Sequence, residues 1–502
     1  MRKGVPIFYN ALMLTSVNLL LRMVSTSFQV FISGRMGAGG VGLLQLVLSV
    51  AAMSMTAGTA GIRTATMYLT AEELGRRKPQ HVTWVLSGCV VYSLIFSIAI
   101  GALVYITAPA ISSLWIGDVR TTGAIRLFAA FLPVSCLSGV MIGYFTAANR
   151  IGTLAVVEVV EQLCSMAVTT VFLLFWAGQD IGRACQAVVL GGCAGSCLTL
   201  GSLLCLRLLE HAETGPRIPV RRRLTAMALP LALADDVKVG ITTLENLMVP
   251  KRLALYSGSG YALAQFGIVC GMVFPVLMFP AAILYGLADL LIPEMARCNA
   301  SGSQKRIRYL VWRSLRIAMF YGILCGGILF VLAEPICLAF YKSHEAGEYL
   351  RWFSLLTPML YCDAIIDAMN KGLGKQNICV RFNILTSAMD VAGLYLLLPV
   401  LGIKGYFISF LISHAVNFLL SLGLLLKTTG LRIPLFVPVA SIAVMLLAMG
   451  GGNLLPHGAG KALGFVFFCV TGLLLAGVLH PEDFRWLLEL SGVKKARKKQ
   501  KF

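Results

Sequence analysis

Apolar stretches of membrane-spanning length recur along the whole chain and restrict its fold more than any other feature. An α-helix needs about 20 predominantly apolar residues to cross a bilayer. The chain is 58% hydrophobic and only 13% charged, with a mean hydropathy of +0.83. We therefore predict an all-α polytopic membrane protein with about fourteen transmembrane helices. The predicted spans are 10–33, 41–62, 83–108, 126–147, 154–177, 182–206, 225–249, 262–290, 315–338, 352–370, 378–400, 405–426, 433–450 and 462–480.

The basic residues predict how these spans are oriented. With an inside start and fourteen crossings, about 29 of the 42 Lys and Arg fall on the inner side and about 10 on the outer side. We expect both termini in the cytoplasm of a bacterium, with the first span kept as an uncleaved anchor in the plasma membrane. The net charge of +20 then sets topology and attracts anionic membrane lipids, and it does not indicate nucleic acid. The predicted cytoplasmic loops are 71–82, 207–224 and 295–314.

An internal repeat divides the spans into two sets of six. Pro133 and Pro358 each lie 17 residues before a basic residue, Arg150 in one case and Lys375 in the other. Gln45 and Gln265 begin the second and eighth spans, about 220 residues apart. Two lobes with the substrate at their interface are typical of transporters built from repeats. The predicted parts are an N-terminal six-helix lobe 1–206, a basic cytoplasmic linker 207–224, a C-terminal six-helix lobe 225–426, helices thirteen and fourteen within 433–480, and a basic cytoplasmic tail 481–502.

The first span carries a charge near its middle. Arg22 lies roughly 15–18 Å from either end of a helix over 10–33, where an unpartnered charge costs several kcal/mol. Two interpretations stay open: a polar packing seam between helices, or a cation that lines a central polar cavity. The polar residues that share its helical face, at steps of 3, 4, 3 and 4, are Thr15, Asn18, Arg22, Ser25 and Gln29.

The seventh span carries a similar stripe at the equivalent place in the repeat. A cavity lined by Arg22, Lys238 and Arg63 suits an anionic group such as pyrophosphate, because Arg forms forked hydrogen bonds with phosphate. In the alternative interpretation, Asp235 and Lys238 neutralise each other three residues apart on one helix. The stripe consists of Asp235, Lys238, Thr242 and Glu245.

Acidic residues inside spans are candidates for coupling transport to a sodium ion or a proton. Glu158 and Glu161 share one face of the fifth span, where they couple to a cation or pair with Arg150. The acids in the tenth span couple to a cation or form a self-satisfied ladder at i, i+4 spacing. Two further acids, in the eighth and eleventh spans, have no partner that the sequence indicates. These residues are Asp363, Asp367 and Lys371 of the ladder, and the single acids Asp289 and Asp390.

Several classes of function have no support in the sequence. There is no P-loop, the predicted outer loops are too short for a catalytic domain, and no other enzyme motif appears. The fourteen cysteines form no CxxC pair and no Cys/His cluster at metal-ligand spacing, so we expect neither a metal site nor a cofactor. We therefore expect a protein that is not an enzyme, in which the polar groups inside the spans are the working parts.

Three segments resemble a known family. GRMGAGGVGLLQLVLSV follows the first span, GYFTAANRIGTLAVVEVVEQ joins the fourth and fifth, and a stretch from TLENLMVPKR to LIPEMA covers the seventh and eighth. They are similar to the stage V sporulation protein B group of polysaccharide and lipid-linked oligosaccharide flippases. This group belongs to a superfamily that also holds the lipid II flippases and the multidrug and toxin extruders. The resemblance covers essentially the whole chain.

The resemblance implies a V-shaped pair of six-helix lobes, alternating access, and a polyprenyl-pyrophosphate-linked saccharide as cargo. By position, Arg22 matches the basic residue of the first helix that lines the cavity in lipid II flippases. Spans thirteen and fourteen match an extra pair that is implied to form a groove for the lipid tail. We predict a flippase of a lipid-linked oligosaccharide or of a peptidoglycan or polysaccharide precursor. The alternatives are a cation-coupled multidrug exporter, and a non-transporting membrane scaffold in envelope or spore-coat assembly.

Overall fold

The computed structural model describes residues 7–76, 79–209, 220–431, 436–452 and 458–475, and every regular element in these ranges is helical. The predicted all-α membrane fold is confirmed. The α-helices are α1 Ile7–Thr59, α2 Ile62–Gly75, α3 Val82–Ala110, α4 Thr122–Ala147, α5 Ile151–Phe172, α6 Ile181–Leu208, α7 Arg221–Ser257, α8 Ser259–Ile268, α9 Phe274–Met278, α10 Ala281–Ala300, α11 Gln304–Val331, α12 Ala333–Tyr341, α13 His344–Ser354, α14 Thr357–Gly372, α15 Gln376–Leu401, α16 Ile403–Thr429, α17 Phe436–Gly452 and α18 Gly458–Leu475.

Shorter π-helical and 3₁₀ segments join several of these helices. The π-helical segments are Ile111–Ile116, Leu173–Ala177 and Val269–Val273, and the 3₁₀ segments are Pro79–His81 and Val119–Thr121. Within the described ranges, nine helical stretches are long and apolar enough to cross a membrane. The total of fourteen spans stays a prediction. The tail 481–502 and most of the linker 207–224 lie outside the described residues.

Glycine and proline break the long helices at corresponding places in the two repeats. Gly37 has φ 67° and ψ 174° and ends the first half of α1 with a sharp turn. The break between α1 and α2 falls at Ala60 and Gly61, and that between α9 and α10 falls at Phe279 and Pro280. These two breaks are about 220 residues apart, as the repeat predicts.

Several predicted boundaries were wrong, and the predicted spans 315–338 and 352–370 are each divided between two helices, at Leu332 and at residues 355–356. The span predicted over 262–290 is interrupted at residues 279–280, because hydropathy does not detect a proline break between two apolar segments. The predicted loop 295–314 is mostly helix: α10 runs to Ala300, α11 begins at Gln304, and only a three-residue turn separates them. The basic residues of this region therefore lie on helix ends rather than on an irregular loop.

The described chain divides into two compact units, Phe31–Gly267 and Met1–Val30 with Ile268–Phe502. In the unit Phe31–Gly267, Thr243 donates to the Ser49 carbonyl at 3.2 Å and the Asn246 amide donates to the Ser49 hydroxyl at 3.0 Å. These bonds tie α7 to the second half of α1. In this division the segment Met1–Val30 of α1 belongs with the C-terminal repeat and α7 belongs with the N-terminal repeat, whereas the predicted lobes place them the other way round. The predicted lobe boundaries stay a prediction.

Each unit has its own apolar core. In the unit Phe31–Gly267 it includes Ile62, Leu132 and Phe145, and in the other unit it includes Tyr361 and Ile365, all of them fully buried. A further cluster packs α17 and α18 onto α11. The helices predicted as spans thirteen and fourteen thus share a buried surface with the second repeat. Its largest members are Ile323, Met445, Met449, Phe465 and Leu473.

Candidate functional site

Arg22 on α1 is a half-buried cation whose described neighbour is an aromatic ring. Its guanidinium carbon lies 5.2 Å from the ring centroid of Tyr285 on α10, within the range of a cation–π contact. Among the side chains that the structure describes, no carboxylate lies within ion-pair distance of Arg22. A guanidinium held in this way keeps most of its hydrogen-bond donors available to an anion.

The other polar residues of the stripe on α1 differ in their contacts. The Gln29 amide donates to the Gly271 carbonyl at 3.3 Å, in the π-helical segment Val269–Val273. Gln29 therefore joins α1 to this segment by a hydrogen bond, as the packing-seam interpretation predicts, whereas Arg22 reaches α10 by its contact with the Tyr285 ring. Ser25 is half-buried between them. The side chains of Thr15 and Asn18 lie outside the described residues.

The cavity residues predicted on α2 and α7 belong to the unit Phe31–Gly267. Arg63, Lys238 and Thr242 are all exposed, and Asp235 is exposed as well. Asp235 and Lys238 form no ion pair, so the predicted mutual neutralisation is not observed. Glu245 is half-buried. Whether these groups share one site with Arg22 stays a prediction.

The two acids of the fifth span have different surroundings. Glu161 accepts a hydrogen bond from the Thr199 hydroxyl on α6 at 2.6 Å, and Gly195 leaves room for it. Glu158 is half-buried and faces the charge of Arg63, with no ion pair to Arg150 or to any other described base. Glu161 is therefore part of a helix–helix contact, while Glu158 stays a candidate for coupling.

The acids of the tenth span divide in the same way. The Lys371 ammonium lies 2.6 Å from the Asp367 carboxylate, which is the self-satisfied pair that the spacing predicts. Asp363 is bonded instead to α16, where the Asn417 amide donates to its Oδ2 at 3.1 Å. One turn further along, the Asn370 amide donates to the Ser421 carbonyl at 3.0 Å.

Buried oxygens on this contact between α14 and α16 have no donor in the described structure. They are Oδ1 of Asp363, Oδ1 of Asn417 and Oδ1 of Asn370. A buried acceptor without a donor costs free energy unless a proton, a water or a cation satisfies it. Asp363 and Asn417 thus present two unsatisfied oxygens beside one hydrogen bond, which suits a small hard cation or a proton.

The two single acids also differ. Asp390 on α15 is 5% exposed and accepts a hydrogen bond from the Ser409 hydroxyl on α16 at 2.6 Å, so it has a partner that the sequence did not indicate. Asp289 on α10 is exposed. Sequence reasoning also missed Tyr285 and Asn417. A signal existed for Asn417, because Ser413, Asn417 and Ser421 recur every four residues in an apolar span.

In the described residues, charged and amide groups lie inside helices of membrane-spanning length, and residues 253–396 match the MatE family. Two of the solved structures with the same fold, described next, are transporters. The described chain is therefore a multi-pass membrane protein by its helices, and residues 253–396 are its part that matches the MatE family.

The resemblance to the stage V sporulation protein B group is confirmed. The chain is 22% identical to "Stage V sporulation protein B" of Bacillus subtilis strain 168 over 451 residues, 87% of this chain and 86% of that protein. Its fold is that of solved MATE transporters. An inward-facing multidrug resistance MATE family transporter of the MOP superfamily has a TM-score of 0.67 at 16% identity, covering 83% of this chain and 98% of that chain. The MATE multidrug transporter DinF-BH has a TM-score of 0.62 at 16% identity, covering 86% and 98%.

Proposed function

We propose that the protein flips a lipid-linked (polyprenyl-pyrophosphate) oligosaccharide, or a peptidoglycan or polysaccharide precursor, across the cytoplasmic membrane by alternating access. The observation that carries the proposal is Arg22, a cation inside a membrane-length helix that stacks on Tyr285 instead of pairing with a described carboxylate. The similarity to stage V sporulation protein B over most of both chains supports it.

The chemistry of the guanidinium favours a phosphate-bearing cargo. Arg presents a planar fork of N–H donors that matches the oxygens of phosphate, and its charge persists at any physiological pH. Its contact with the Tyr285 ring holds the guanidinium carbon 5.2 Å from the ring centroid, and a cation–π contact does not require its N–H donors. A site selective for cationic drugs would instead place an unpaired acid here, since a central Arg repels such cargo.

We propose Asp363 and Asn417 as the coupling site, for a sodium ion or a proton. Each has a buried oxygen without a donor, and the contact lies inside one unit, between α14 and α16. Occupation by a cation would satisfy these oxygens, so binding would change the stability of the contact between the two helices. Asp367 is a weaker candidate because Lys371 already neutralises it.

A cation-coupled multidrug exporter is the second candidate. The solved structures with the same fold include multidrug transporters. Two acids, Asp235 and Glu158, form no ion pair among the described residues and would suit a cationic drug. The scaffold alternative has no such observation in its favour, because a scaffold does not need charged groups inside its spans.

Transport by purified protein in vesicles tests the proposal. We expect wild type to move a fluorescent polyprenyl-pyrophosphate-linked saccharide between leaflets and Arg22→Ala to lose this activity while still inserting, because the substitution removes a costly charge. Arg22→Lys should keep part of the activity, since a point charge cannot reproduce the fork.

Arg35→Gln is the matched control for Arg22→Gln. Arg35 lies on the same helix, and its guanidinium carbon is 5.8 Å from the ring centroid of Phe31, a residue of its own helix. Flipping should survive Arg35→Gln and fail in Arg22→Gln, both measured per inserted molecule. Full flipping by Arg22→Ala would refute the anion site. If efflux of a cationic dye is unchanged by substitution of Arg22 but is lost on substitution of Asp235 or Glu158, the protein is instead an exporter.

A further inference from the structure

A cavity of about 430 Å³ lies inside the unit Phe31–Gly267, away from the residues discussed so far. It is bounded by α3, α4, α5 and α6, near the ends that carry the short turns at 117–121 and 178–180. The charge bias of the sequence predicts that these turns face the outside. The volume is in the range of small-molecule sites. The side chains on which the argument depends are Tyr105, Arg126, Ala130, Phe172, Trp176 and Gln186.

The wall of the cavity is aromatic and is shaped by irregular helix. Phe172 and Trp176 meet edge to face with their centroids 5.9 Å apart. Trp176 lies in the π-helical segment Leu173–Ala177, whose wider turn changes the direction of the side chains that follow. On the opposite side, Gly123 has no side chain, and a Cβ there would collide with the amide of Gln186. The Gln186 amide therefore reaches the cavity because residue 123 is a glycine.

Arg126 supplies the charge of the cavity. Its guanidinium carbon lies 5.3 Å from the ring centroid of Tyr105. Two other arginines at the same ends of the helices are paired: Arg120 with Asp118 at 2.6 Å and Arg183 with Asp180 at 3.6 Å. Arg126 has no such partner among the described side chains. A cation without a carboxylate beside aromatic walls suits a ligand with an anionic head and an apolar body.

We propose that this cavity binds an anionic phospholipid. Arg126 would hold the phosphodiester through charge-assisted hydrogen bonds, and the Gln186 amide would bond a hydroxyl or ester oxygen of the glycerol. Phe172 and Trp176 would pack on the first carbons of an acyl chain, whose remainder continues along the lipid-facing surface. Tyr105 and Trp176 are 47% and 42% exposed, so the cavity is open on a side where other exposed apolar residues lie. The proposal is independent of the cargo.

An interfacial aromatic belt with a snorkelling Arg is the simpler interpretation, and it predicts no dependence on a particular arginine. Quenching of tryptophan fluorescence by brominated lipids separates the two. The protein is reconstituted in phosphatidylcholine vesicles with rising fractions of dibrominated phosphatidylglycerol or dibrominated phosphatidylcholine. The signal from Trp176 is the difference between wild type and Trp176→Phe.

We expect dibrominated phosphatidylglycerol to reach half-maximal quenching of Trp176 at about a fivefold lower fraction than dibrominated phosphatidylcholine. This factor corresponds to the attraction of one basic residue near the surface, about 1 kcal/mol. Arg126→Gln should remove this preference. Arg183→Gln removes the same charge at the same ends of the helices without lining the cavity, and it should keep the preference.

A second variant keeps the test decisive if Arg126→Gln does not insert. Ala130→Leu fills the cavity and keeps every charge, so it should also remove the preference. Equal quenching by the two lipids in wild type would overturn the proposal. So would a preference that survives both Arg126→Gln and Ala130→Leu, because the attraction would then be general to a basic protein. Loss of the preference on adding soluble glycerol phosphate would overturn the lipid assignment, since the site would then recognise the head group alone.

Discussion

At the scale of single residues, two neighbouring acids of α14 differ in the partner that each one contacts. Asp363 and Asp367 are one turn apart on α14, yet Lys371 pairs with Asp367 and leaves Asp363 to Asn417. The i, i+4 spacing predicts the pair of Lys371 with Asp367, but it could not show which group Asp363 would contact. Packing against α16 supplies that partner, Asn417.

We expect sodium to raise the melting temperature of the wild-type protein and to lose this effect in Asp363→Asn. A ligand at ten times its dissociation constant stabilises the folded state by about 1.4 kcal/mol, which corresponds to a shift of a few degrees. Thermal unfolding in detergent with sodium against choline at constant ionic strength measures it.

Glu294→Gln is the control for this substitution. Glu294 is an acid of the same unit and is paired with Arg306 at the end of α10, so the sodium effect should remain. A sodium effect that persists in Asp363→Asn would exclude this coupling site. If sodium has no effect on wild type while a proton gradient drives transport only when Asp363 is present, the coupling ion is the proton.

At the scale of helices, small residues set how closely elements pack. A Cβ on Gly42 would collide with the Leu263 carbonyl, so α1 and α8 approach at backbone distance within their unit. We expect Gly42→Ala to destabilise the protein by about 1–3 kcal/mol and to lower its melting temperature by several degrees. Gly39→Ala is the control, because Gly39 has open space around its Cβ position and an alanine favours helix. Equal melting temperatures for the two variants would show that this contact is not tight.

The turn before α4 supplies a prediction about pH. The Arg120 guanidinium hydrogen-bonds the Asp118 carboxylate and holds the pKa of that carboxyl below its usual value. A depressed folded-state pKa means that the stabilisation is present above the unfolded value, near pH 4, and is lost as the pH falls through the folded value.

Asp118→Asn should therefore be less stable than wild type at pH 7, by no more than about 1 kcal/mol for a pair near the surface, and the difference should shrink as the pH falls below about 4. Melting temperatures across this range measure the difference. Arg120→Gln should behave like Asp118→Asn, and the double variant should add nothing. A difference that is constant with pH would show that the ion pair does not cause it.

Much of the helical pattern was readable from the sequence, and the remainder was not for identifiable reasons. Hydropathy and charge found the spans, and the offset of Gln45 and Gln265 predicted a repeat whose helix breaks indeed recur at Gly61 and Pro280. The break itself was missed in the second repeat, because apolar residues flank it on both sides. The partner of Arg22, Tyr285, lies more than 260 residues away in sequence, and no periodicity within one helix can identify such a contact.

At the scale of the whole molecule, the charge bias makes a prediction about sidedness. The turn between α10 and α11 should face the cytoplasm, and the turn between α5 and α6 should face the outside. Single cysteines at two exposed positions, Ser301→Cys and Gln179→Cys, test this in a cysteine-free background. An impermeant maleimide added to intact cells should label Gln179→Cys, and should label Ser301→Cys only after the cells are opened. Labelling of Ser301→Cys in intact cells would invert the topology.

The division of the chain into units also has a consequence for biogenesis. The segment Met1–Val30 belongs with Ile268–Phe502, so its contacts cannot form until residues beyond 267 have left the ribosome. At typical rates of synthesis this takes roughly 10–50 s. During that interval the helix carrying Arg22 has no Tyr285 to stack on, and its guanidinium must be accommodated by the insertion machinery, by lipid head groups or by water. The residue that we assign to the cargo is therefore also a costly group for the cell to insert, and a helix without it would enter the membrane more readily.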